Sequence, residues 1–181
     1  LLAKNGQANW AFETVPQPGL NGRRGYQPRG KVLGGSSSIN AMIYMRGHRA
    51  DYDYWEAQGN PGWGFDDVLP YFKRSENNER GADDWHGTGG PLNVMDLRSP
   101  NRFGAVFVKA GREAGFAHNH DFNGAEQEGV GMYQVTHKNG ERFSAAKGYL
   151  TPNLSRPNLQ VISGAYTTRI LTEGRRAVGV E

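Results

Sequence analysis

The stretch GKVLGGSSSINAMIYMRG, residues 30–47, constrains the fold of this chain more than any other segment. The apolar letters KVL predict a short strand, and residues 39–45 predict a helix. Between them lie two glycines and three serines. Glycine has no Cβ, so it adopts positive φ and lets other groups approach the backbone closely. Serines are good helix N-caps. The stretch therefore predicts a strand–loop–helix element.

The start of such a helix is a possible anion site. The first N–H groups of a helix have no acceptor within it and lie at the positive end of its dipole. A pyrophosphate is a natural partner, and Arg29 and Lys31 would add positive charge. The same letters also fit a flexible connector with ordinary capping, because a single glycine-rich loop is not a specific motif. The pattern alone leaves both interpretations open.

Composition suggests a piece of a larger protein. The chain has 181 residues, only 36% of them hydrophobic, and its 26 glycines are about twice the usual share. It begins with Leu1 and ends in the strand-like letters AVGVE. We expect it to share its core with missing N- and C-terminal parts. The absence of cysteine excludes disulfides, thiolate metal sites and cysteine nucleophiles within these residues.

The charges are mixed rather than clustered. The chain carries 21 Lys and Arg against 18 Asp and Glu, a net charge of +3. Proteins that bind nucleic acid usually concentrate positive charge on one face, so we expect no nucleic-acid partner. No apolar run approaches the roughly 18 residues of a membrane span, so we expect no transmembrane segment.

Turn signals and periodicity predict an α+β fold. Asn-Gly turns are expected to join strands in two hairpins, at residues 10–14 with 24–27 and at residues 132–136 with 142–143. Further strands are expected at residues 159–162 and 166–171 and from residue 177 onward. Three further helices are expected: residues 68–74 capped by Asp67, a helix from Phe103 that stops at Gly115, and a short helix capped by Ser144.

Other clusters favour plain structural roles. His118, His120 and Asp121 have ligand chemistry, but they lack a second cluster at a suitable spacing, so we expect a polar loop and no metal site. Five aromatic residues between positions 52 and 72 could form a stacking platform or an ammonium cage, and core packing is the favoured interpretation. They are Tyr52, Trp55, Trp63, Tyr71 and Phe72.

The whole chain resembles a known enzyme family in the order of its motifs. GKVLGGSSSIN resembles the first signature of the glucose–methanol–choline (GMC) oxidoreductases, flavoproteins that oxidise alcohols. The segments NWAFET, MRG, DYW, LPYFKRSE, HG, GPL, AKGYL, RPNL and AVGVE resemble that family in the same order. The likeness is closest to its choline-dehydrogenase-like bacterial branch. It implies an internal fragment of an FAD-dependent alcohol dehydrogenase or oxidase that transfers hydride to flavin N5.

The resemblance implies a cofactor site and a domain layout. Residues that match the flavin-lining positions are Gly34, Gly35, Ser36, Asn40, Ala41, Met42 and Ile43, and Thr167 matches a position whose backbone meets the adenine. Ile39 stands where some members carry a flavin-linked histidine, so we expect non-covalent FAD. Residues 1–60 would belong to a Rossmann-like FAD-binding domain, 61–155 mostly to an antiparallel-sheet substrate domain and lid, and 156–181 to strands returning to the FAD-binding domain.

Two parts of the family pattern are missing from these residues. The GxGxxG fingerprint does not occur, and we expect it before Leu1. The catalytic histidine is expected beyond Glu181, so we assign no catalytic residue. His86 could belong to a lid over the flavin, although a surface turn is the favoured interpretation.

The expected partner is a small alcohol, and the fragment alone is expected to be inactive. The bacterial cytoplasm or the periphery of its membrane is the expected location. The alternative function is a non-catalytic module that binds a phosphate or another anion.

Overall fold

The computed structural model describes residues 6–181, and it mixes short helices with short, paired strands. The helices are α1 (Arg49–Ala57), α2 (Phe65–Ser75) and α3 (Arg102–Glu113). The strands are β1 (Phe12–Glu13), β2 (Tyr26–Gln27), β3 (Glu76–Asn78), β4 (Leu92–Val94), β5 (His137–Lys138), β6 (Glu141–Arg142), β7 (Ile170–Glu173) and β8 (Arg176–Val180). This content is compatible with the predicted α+β class.

The strands pair two at a time. β1 with β2, β5 with β6, and β7 with β8 are antiparallel, whereas β3 and β4 are parallel. Isolated bridges then extend the β3–β4 pair: Val135 bridges both Met95, next to β4, and Ile43. The segments around positions 43, 95 and 135 thus form one small sheet beside β4.

Both Asn-Gly hairpins are confirmed. Asn21 and Gly22 have φ of 54° and 72° between β1 and β2, and Asn139 and Gly140 have φ of 54° and 81° between β5 and β6. Lys138 pairs with Glu141, so Asn139 and Gly140 are the two central residues of a tight turn, and their positive φ matches the twist of the hairpin. In the first hairpin, a 3-10 turn, Pro18–Leu20, precedes Asn21 and Gly22 in a longer connection. The second hairpin is shorter than predicted, because its regular strands begin only at His137.

The helix predicted at residues 39–45 is wrong. Residues Gly35–Ser38 form one 3-10 turn, and the chain then runs extended. The Tyr44 N–H bonds the Gln134 carbonyl (2.9 Å), and the Thr136 N–H bonds the Met42 carbonyl (2.8 Å). These cross-strand bonds replace the intrahelical ones. The strand predicted at residues 31–33 is also absent, because these residues bend into the turn that closes with the Gly35 N–H on the Val32 carbonyl.

Helix α2 starts earlier than predicted. Its first N–H, at Phe65, bonds the Asp53 carboxylate of α1 at 2.9 Å, so α1 supplies the cap expected from Asp67. Pro70 therefore lies inside the helix rather than in its first turn. A proline there removes one backbone hydrogen bond, so contacts with α1 must help to hold this helix.

The aromatic residues of α1 and α2 pack together at one end only. Tyr52 is buried, and its ring meets Trp55 and Phe72 at centroid distances of 5.4 and 5.7 Å. This confirms core packing for Tyr52. Trp55, Trp63 and Tyr71, in contrast, are exposed, so the core-packing prediction is wrong for them.

Helix α3 confirms the prediction closely. The Asn101 side chain accepts the Phe103 N–H at 3.0 Å, and Gly115, with φ of 94°, follows the last turn. None of its residues is buried. The apolar stripe that predicted the helix therefore lies on the surface of this part of the protein.

The C-terminal region is only partly as predicted. Residues 159–162 form no strand, and the strand expected from residue 166 begins at Ile170 and pairs with β8. Ser144 does start a short helical turn, because it accepts the N–H groups of Lys147 and Gly148. That turn, Ala146–Leu150, is wound as a π-helix.

Few apolar side chains are fully buried. Val94, Met95 and Val135 form the centre of the core, beside the small sheet. Glu76 on β3 is equally inaccessible to solvent. In the part of the chain that the structure describes, no helix is both long and apolar enough to span a bilayer.

Candidate cofactor-binding site

The glycine–serine loop is shaped by close backbone packing. A Cβ on Gly34 would lie 2.5 Å from Ser38 Oγ and 3.1 Å from the Ala146 Cβ, and its φ is 86°. A side chain at position 34 would therefore collide with Ser38 and Ala146, so this position requires glycine. Gly35 also has positive φ, 56°, yet a Cβ there would meet nothing within 4 Å. The loop is thus packed on one side and open on the other.

The three serines hold the loop itself rather than cap a helix. Ser37 Oγ accepts the Ala145 N–H at 2.9 Å. Ser38 Oγ donates to the Leu33 carbonyl at 2.8 Å, and Ser36 Oγ accepts the Gly30 N–H at 3.2 Å. Since no helix follows, the expected dipole of a helix N-terminus does not exist here. The helix N-terminus that was expected to bind an anion is therefore absent from this loop.

The extended segment after the turn has an outer and an inner side. Asn40, Ala41 and Ile43 are exposed, whereas Met42 is half-buried. Hydrogen bonds from the residues on either side of Ile43 join this segment to residues 134 and 136, so the main-chain groups of Ile43 itself point away from that neighbour. The outer side therefore offers backbone donors and acceptors to a ligand.

Met42 has an unusual backbone and a polar neighbour. Its φ is 64°, a conformation that L residues rarely adopt. His137 Nε2 lies 2.9 Å from its sulfur. Met42 therefore shapes the segment from the inner side.

A hairpin about one hundred residues downstream holds the loop. Arg142 on β6 donates to the carbonyls of Ser37 (3.0 Å) and Asn40 (2.8 Å) and to the Asn40 side-chain oxygen (3.0 Å). His137 on β5 contacts Met42. Neither residue was predicted to lie at the site, although the Asn-Gly turn between them indicates that they belong to one hairpin.

Thr167 lies beside a separate groove. An open groove of about 540 Å³ is lined by Trp10, residues 30–33 and residues 163–166. The ring of Tyr166, next to Thr167, lies 5.1 Å from that of Trp10, and Lys31 Nζ lies 4.5 Å from the Trp10 ring centroid. The groove adjoins the segment that leads into the glycine–serine loop. Among residues 6–181, no hydrogen bond joins Thr167 to that loop.

A buried ionic cluster lies behind the extended segment. Arg46 Nη2 donates to Glu76 Oε2 at 2.9 Å, and Arg46 Nη1 donates to the Trp85 carbonyl at 2.7 Å. His86 lies between two carboxylates, with Nδ1 3.0 Å from Glu76 Oε1 and Nε2 2.8 Å from Asp121 Oδ2. The cluster thus joins residues that are distant in sequence.

The cluster changes the protonation of its members. Burial alone would lower the pKa of His86, but the hydrogen bonds and charges of Asp121 and Glu76 raise it from 6.5 to about 9. Burial alone would raise the pKa of Glu76 and of Asp121, but hydrogen bonds from His86 and from neighbouring backbone N–H groups together outweigh it, so both pKa values are lowered. At neutral pH the cluster therefore holds two cations and two anions.

The surface-turn interpretation of His86 is wrong. Its side chain is buried, and Asp83 Oδ1 folds the turn before it by accepting the N–H groups of Trp85 (2.8 Å) and His86. A single sequence could not show this, because both carboxylate partners of His86 are distant along the chain.

The histidines near position 120 do not form a metal centre with Asp121. The rings of His118 and His120 lie 4.0 Å apart, whereas the Asp121 carboxylate bonds His86. Within residues 6–181, no three His, Asp or Glu side chains come together as metal ligands.

The outer side of the loop suits one edge of a flavin. Gly35 leaves open space, Asn40 and Ala41 are exposed, and the main chain at Ile43 is free of the neighbouring segment. A planar ring with polar edges needs such a surface of small residues and amide groups. The residues present therefore fit FAD.

The chain is similar to known proteins over nearly its whole length. The sequence profile of the GMC oxidoreductases matches residues 2–181. The chain is 51% identical to an oxygen-dependent choline dehydrogenase of Brucella anthropi, over 96% of this chain and 31% of that protein. It is also 51% identical to an alcohol dehydrogenase [acceptor] of Pseudomonas putida, over 99% and 33%.

Solved structures give the same result. Pyridoxine 4-oxidase from Mesorbium loti superposes with a TM-score of 0.87 at 33% identity, over 97% of this chain and 35% of that one. An FAD-dependent oxidoreductase from Chaetomium thermophilum gives 0.84 at 30% identity, over 96% and 32%.

The chain belongs to the GMC oxidoreductase family. FAD is the cofactor that the family and these structures support. The chain spans about a third of the length of the relatives that it matches.

Proposed function

We propose that the whole protein oxidises an alcohol with FAD and that residues 34–43 form one wall of the flavin site. The observation that carries this proposal is the open outer side of the loop, found in a chain that matches the family from residue 2 to residue 181. When bound, FAD supplies the redox chemistry by accepting a hydride at N5. The residues of this chain supply position and hydrogen bonds.

The predicted cofactor-binding residues have different roles in this proposal. Five of them face the flavin: Gly35, Ser36, Asn40, Ala41 and Ile43. Gly34 and Met42 support the wall from behind, through contacts with Ala146 and His137. Thr167, beside the groove at Trp10, would contact the adenine end through its backbone. This arrangement would connect the FAD-binding domain to a substrate domain formed largely by residues 61–155.

The proton acceptor for the alcohol would come from the rest of the protein. His48 caps α1, His86 is bound by two carboxylates, and His137 contacts Met42. The rings of His118 and His120 contact each other. Each of these imidazoles already has a structural partner, and none lies on the outer side of the loop. Removal of the hydroxyl proton would therefore depend on a residue outside positions 6–181.

The flavin would be bound without a covalent link at this loop. Ile39 follows the 3-10 turn, and its side chain has no nucleophile. Acid precipitation of the full-length protein should release all FAD into the supernatant. Yellow colour that stays with the precipitate would contradict this part of the proposal.

The main test is reduction of the flavin by substrate. We expect purified full-length protein to show flavin absorption bands and to lose them when an alcohol is added without oxygen. The panel would include choline, pyridoxine and simple primary alcohols, since similar proteins carry the names of such activities. An equal panel of the corresponding aldehydes is the control.

Absence of flavin from the full-length protein, or bands that no alcohol bleaches, would contradict the proposal. The alternative of a simple anion-binding module is weakened by the structure. It depended on a helix N-terminus after the glycines, and a four-residue 3-10 turn occupies that place.

A further inference from the structure

We propose that Arg142 is a positioning residue of the flavin site. It orients the side-chain amide of Asn40 so that its NH2 group faces the cofactor, and it places a positive charge at the same wall. This inference rests on the proposed function, which puts Asn40 against the flavin. Arg142 lies in the second hairpin, outside the loop that the family resemblance assigned to FAD.

Two hydrogen-bond donors fix the orientation of the Asn40 amide. Its Oδ1 is 3.0 Å from Arg142 Nη1 and 3.0 Å from the Met42 backbone nitrogen. A guanidinium and a backbone N–H can only donate, so the atom between them must be the amide oxygen. The NH2 group is thereby turned to the other side. In the described part of the chain no protein acceptor takes its hydrogens.

The Arg142 side chain forms three hydrogen bonds with the loop. Arg142 also donates to the Asn40 carbonyl at 2.8 Å and to the Ser37 carbonyl at 3.0 Å. One planar group thus fixes both ends of the bend between the 3-10 turn and the extended segment. Lysine could reach one or two of these oxygens, but it lacks the rigid fork that binds all three.

The groups that Arg142 contacts do not neutralise its positive charge. The three acceptors of Arg142 are neutral, and among residues 6–181 no carboxylate forms an ion pair with it. The nearby Lys147, unlike Arg142, does form an ion pair, because its Nζ lies 2.8 Å from the Glu141 carboxylate. The positive charge of Arg142 therefore remains uncompensated beside the loop. A reduced flavin and a diphosphate both carry negative charge, and such a cation favours them.

The position of Arg142 follows from its hairpin. The Asn139–Gly140 turn sets β6 against β5, and Arg142 pairs with His137. The Phe143 N–H continues the pairing on the Thr136 carbonyl at 2.9 Å. Thr136 in turn donates its N–H to the Met42 carbonyl. The guanidinium of Arg142 thus belongs to the same hairpin that is hydrogen-bonded to the extended segment.

The experiment measures FAD affinity and the flavin midpoint potential in the full-length protein. R142Q removes the charge and the fork, and R142K keeps only the charge. K138Q is the matched control, because Lys138 is on the same hairpin and its Nζ lies over the Phe143 ring, 5.5 Å from the centroid, rather than on the loop. N40A and the double variant N40A/R142Q complete a double-mutant cycle.

We expect R142Q to raise the dissociation constant of FAD roughly tenfold or more, since a charged hydrogen-bond network is lost. Its midpoint potential should fall because a nearby cation is gone. R142K should keep most of the potential but lose affinity. K138Q should match the wild type in both. The effect of R142Q on affinity should shrink in the N40A background.

Several outcomes would overturn the inference. R142Q with wild-type affinity and potential would do so, and so would full additivity with N40A. If R142Q does not fold, R142K decides, because wild-type FAD affinity in that variant would show that the fork is not needed. A wild-type protein that takes up no FAD would instead overturn the proposed function itself.

Discussion

At the scale of single residues, His86 couples the charge of one side chain to the stability of the fold around it. Its raised pKa, about 9, means that the folded state binds the imidazole proton more tightly than the unfolded state. The stabilisation is complete below pH 6.5 and is lost as the pH rises toward 9. A shift of this size corresponds to roughly 3 kcal/mol.

The carboxylates of the cluster act in the opposite direction. The pKa values of Glu76 and Asp121 are lowered, so their contribution is present above the ordinary carboxyl range and is lost as the pH falls below it. The cluster therefore stabilises the protein most between about pH 5 and 6.5.

A variant at His86 tests this coupling. We expect H86Q to lower the unfolding temperature at pH 6.5, because Glu76 and Asp121 lose the imidazolium that bridges them and Arg46 alone remains beside the two carboxylates. The difference from the wild type should shrink between pH 6.5 and 9. The measurement is the thermal unfolding temperature of the full-length protein at a series of pH values.

H120Q is the control for that experiment, since His120 is exposed and its ring contacts His118 rather than a carboxylate. Curves for wild type and H86Q that stay parallel across this pH range would contradict the assignment. A pH dependence in H120Q equal to that in H86Q would do the same.

At the scale of elements, the second hairpin is the support of the glycine–serine loop. Gly140 has φ of 81°, and a Cβ there would approach only Arg98 Nη1, at 3.9 Å. G140A therefore strains the backbone without causing a clash, at about 1 kcal/mol. We expect the strained turn to shift Arg142 and His137, so that G140A lowers FAD affinity in a fluorescence titration of full-length apoprotein.

The first hairpin offers a matched control for this prediction. Gly22 also follows an asparagine with positive φ, and a Cβ there meets nothing within 4 Å. G22A should cost similar stability and leave FAD affinity unchanged. Equal losses of affinity in G22A and G140A would show a general effect of destabilisation and would contradict the specific role of the second hairpin.

The elements that the sequence predicted well are those with local causes. The turns at Asn21 and Asn139 depend on residues that are close in sequence, and α3 depends on its own apolar spacing, Asn101 and Gly115. The elements that it predicted poorly depend on distant partners. Residues 39–45 have helical spacing, but residues 134–136 take their hydrogen bonds. Asp53, twelve residues away, moves the start of α2.

In the candidate site, too, the residues close in sequence were predicted and their distant partners were not. The family resemblance pointed to the loop, and Gly35, Asn40 and Ala41 do lie on an exposed side. It gave no information on Arg142, whose bonds to the loop cross 102 and 105 residues. The same holds for the buried partners of His86. Long-range polar contacts carry no periodicity that a single sequence displays.

At the scale of the whole molecule, large apolar side chains remain uncovered. On α3, Phe103 and Phe107 are 64% and 72% exposed, and on the last hairpin Ile170 is 66% exposed. Exposed patches of this kind usually mark surfaces that contact other protein. Because the relatives are about three times as long, we infer that the remainder of the protein covers these faces.

The isolated 181-residue chain should therefore bind FAD weakly. We expect no submicromolar binding when it is titrated with FAD and flavin fluorescence is followed, because only one wall of the site is present. It should also bind a hydrophobic dye strongly through the α3 face. The full-length protein, treated in the same way, is the control. Submicromolar FAD binding by the isolated chain would contradict this view.

The contact between the loop and the second hairpin has a practical consequence for recombining related enzymes. A graft that transfers only residues 30–43 would leave behind the guanidinium and the backbone groups that give those residues their shape. Chimeras built from this family should therefore exchange residues 30–43 and 134–146 together, as one discontinuous module.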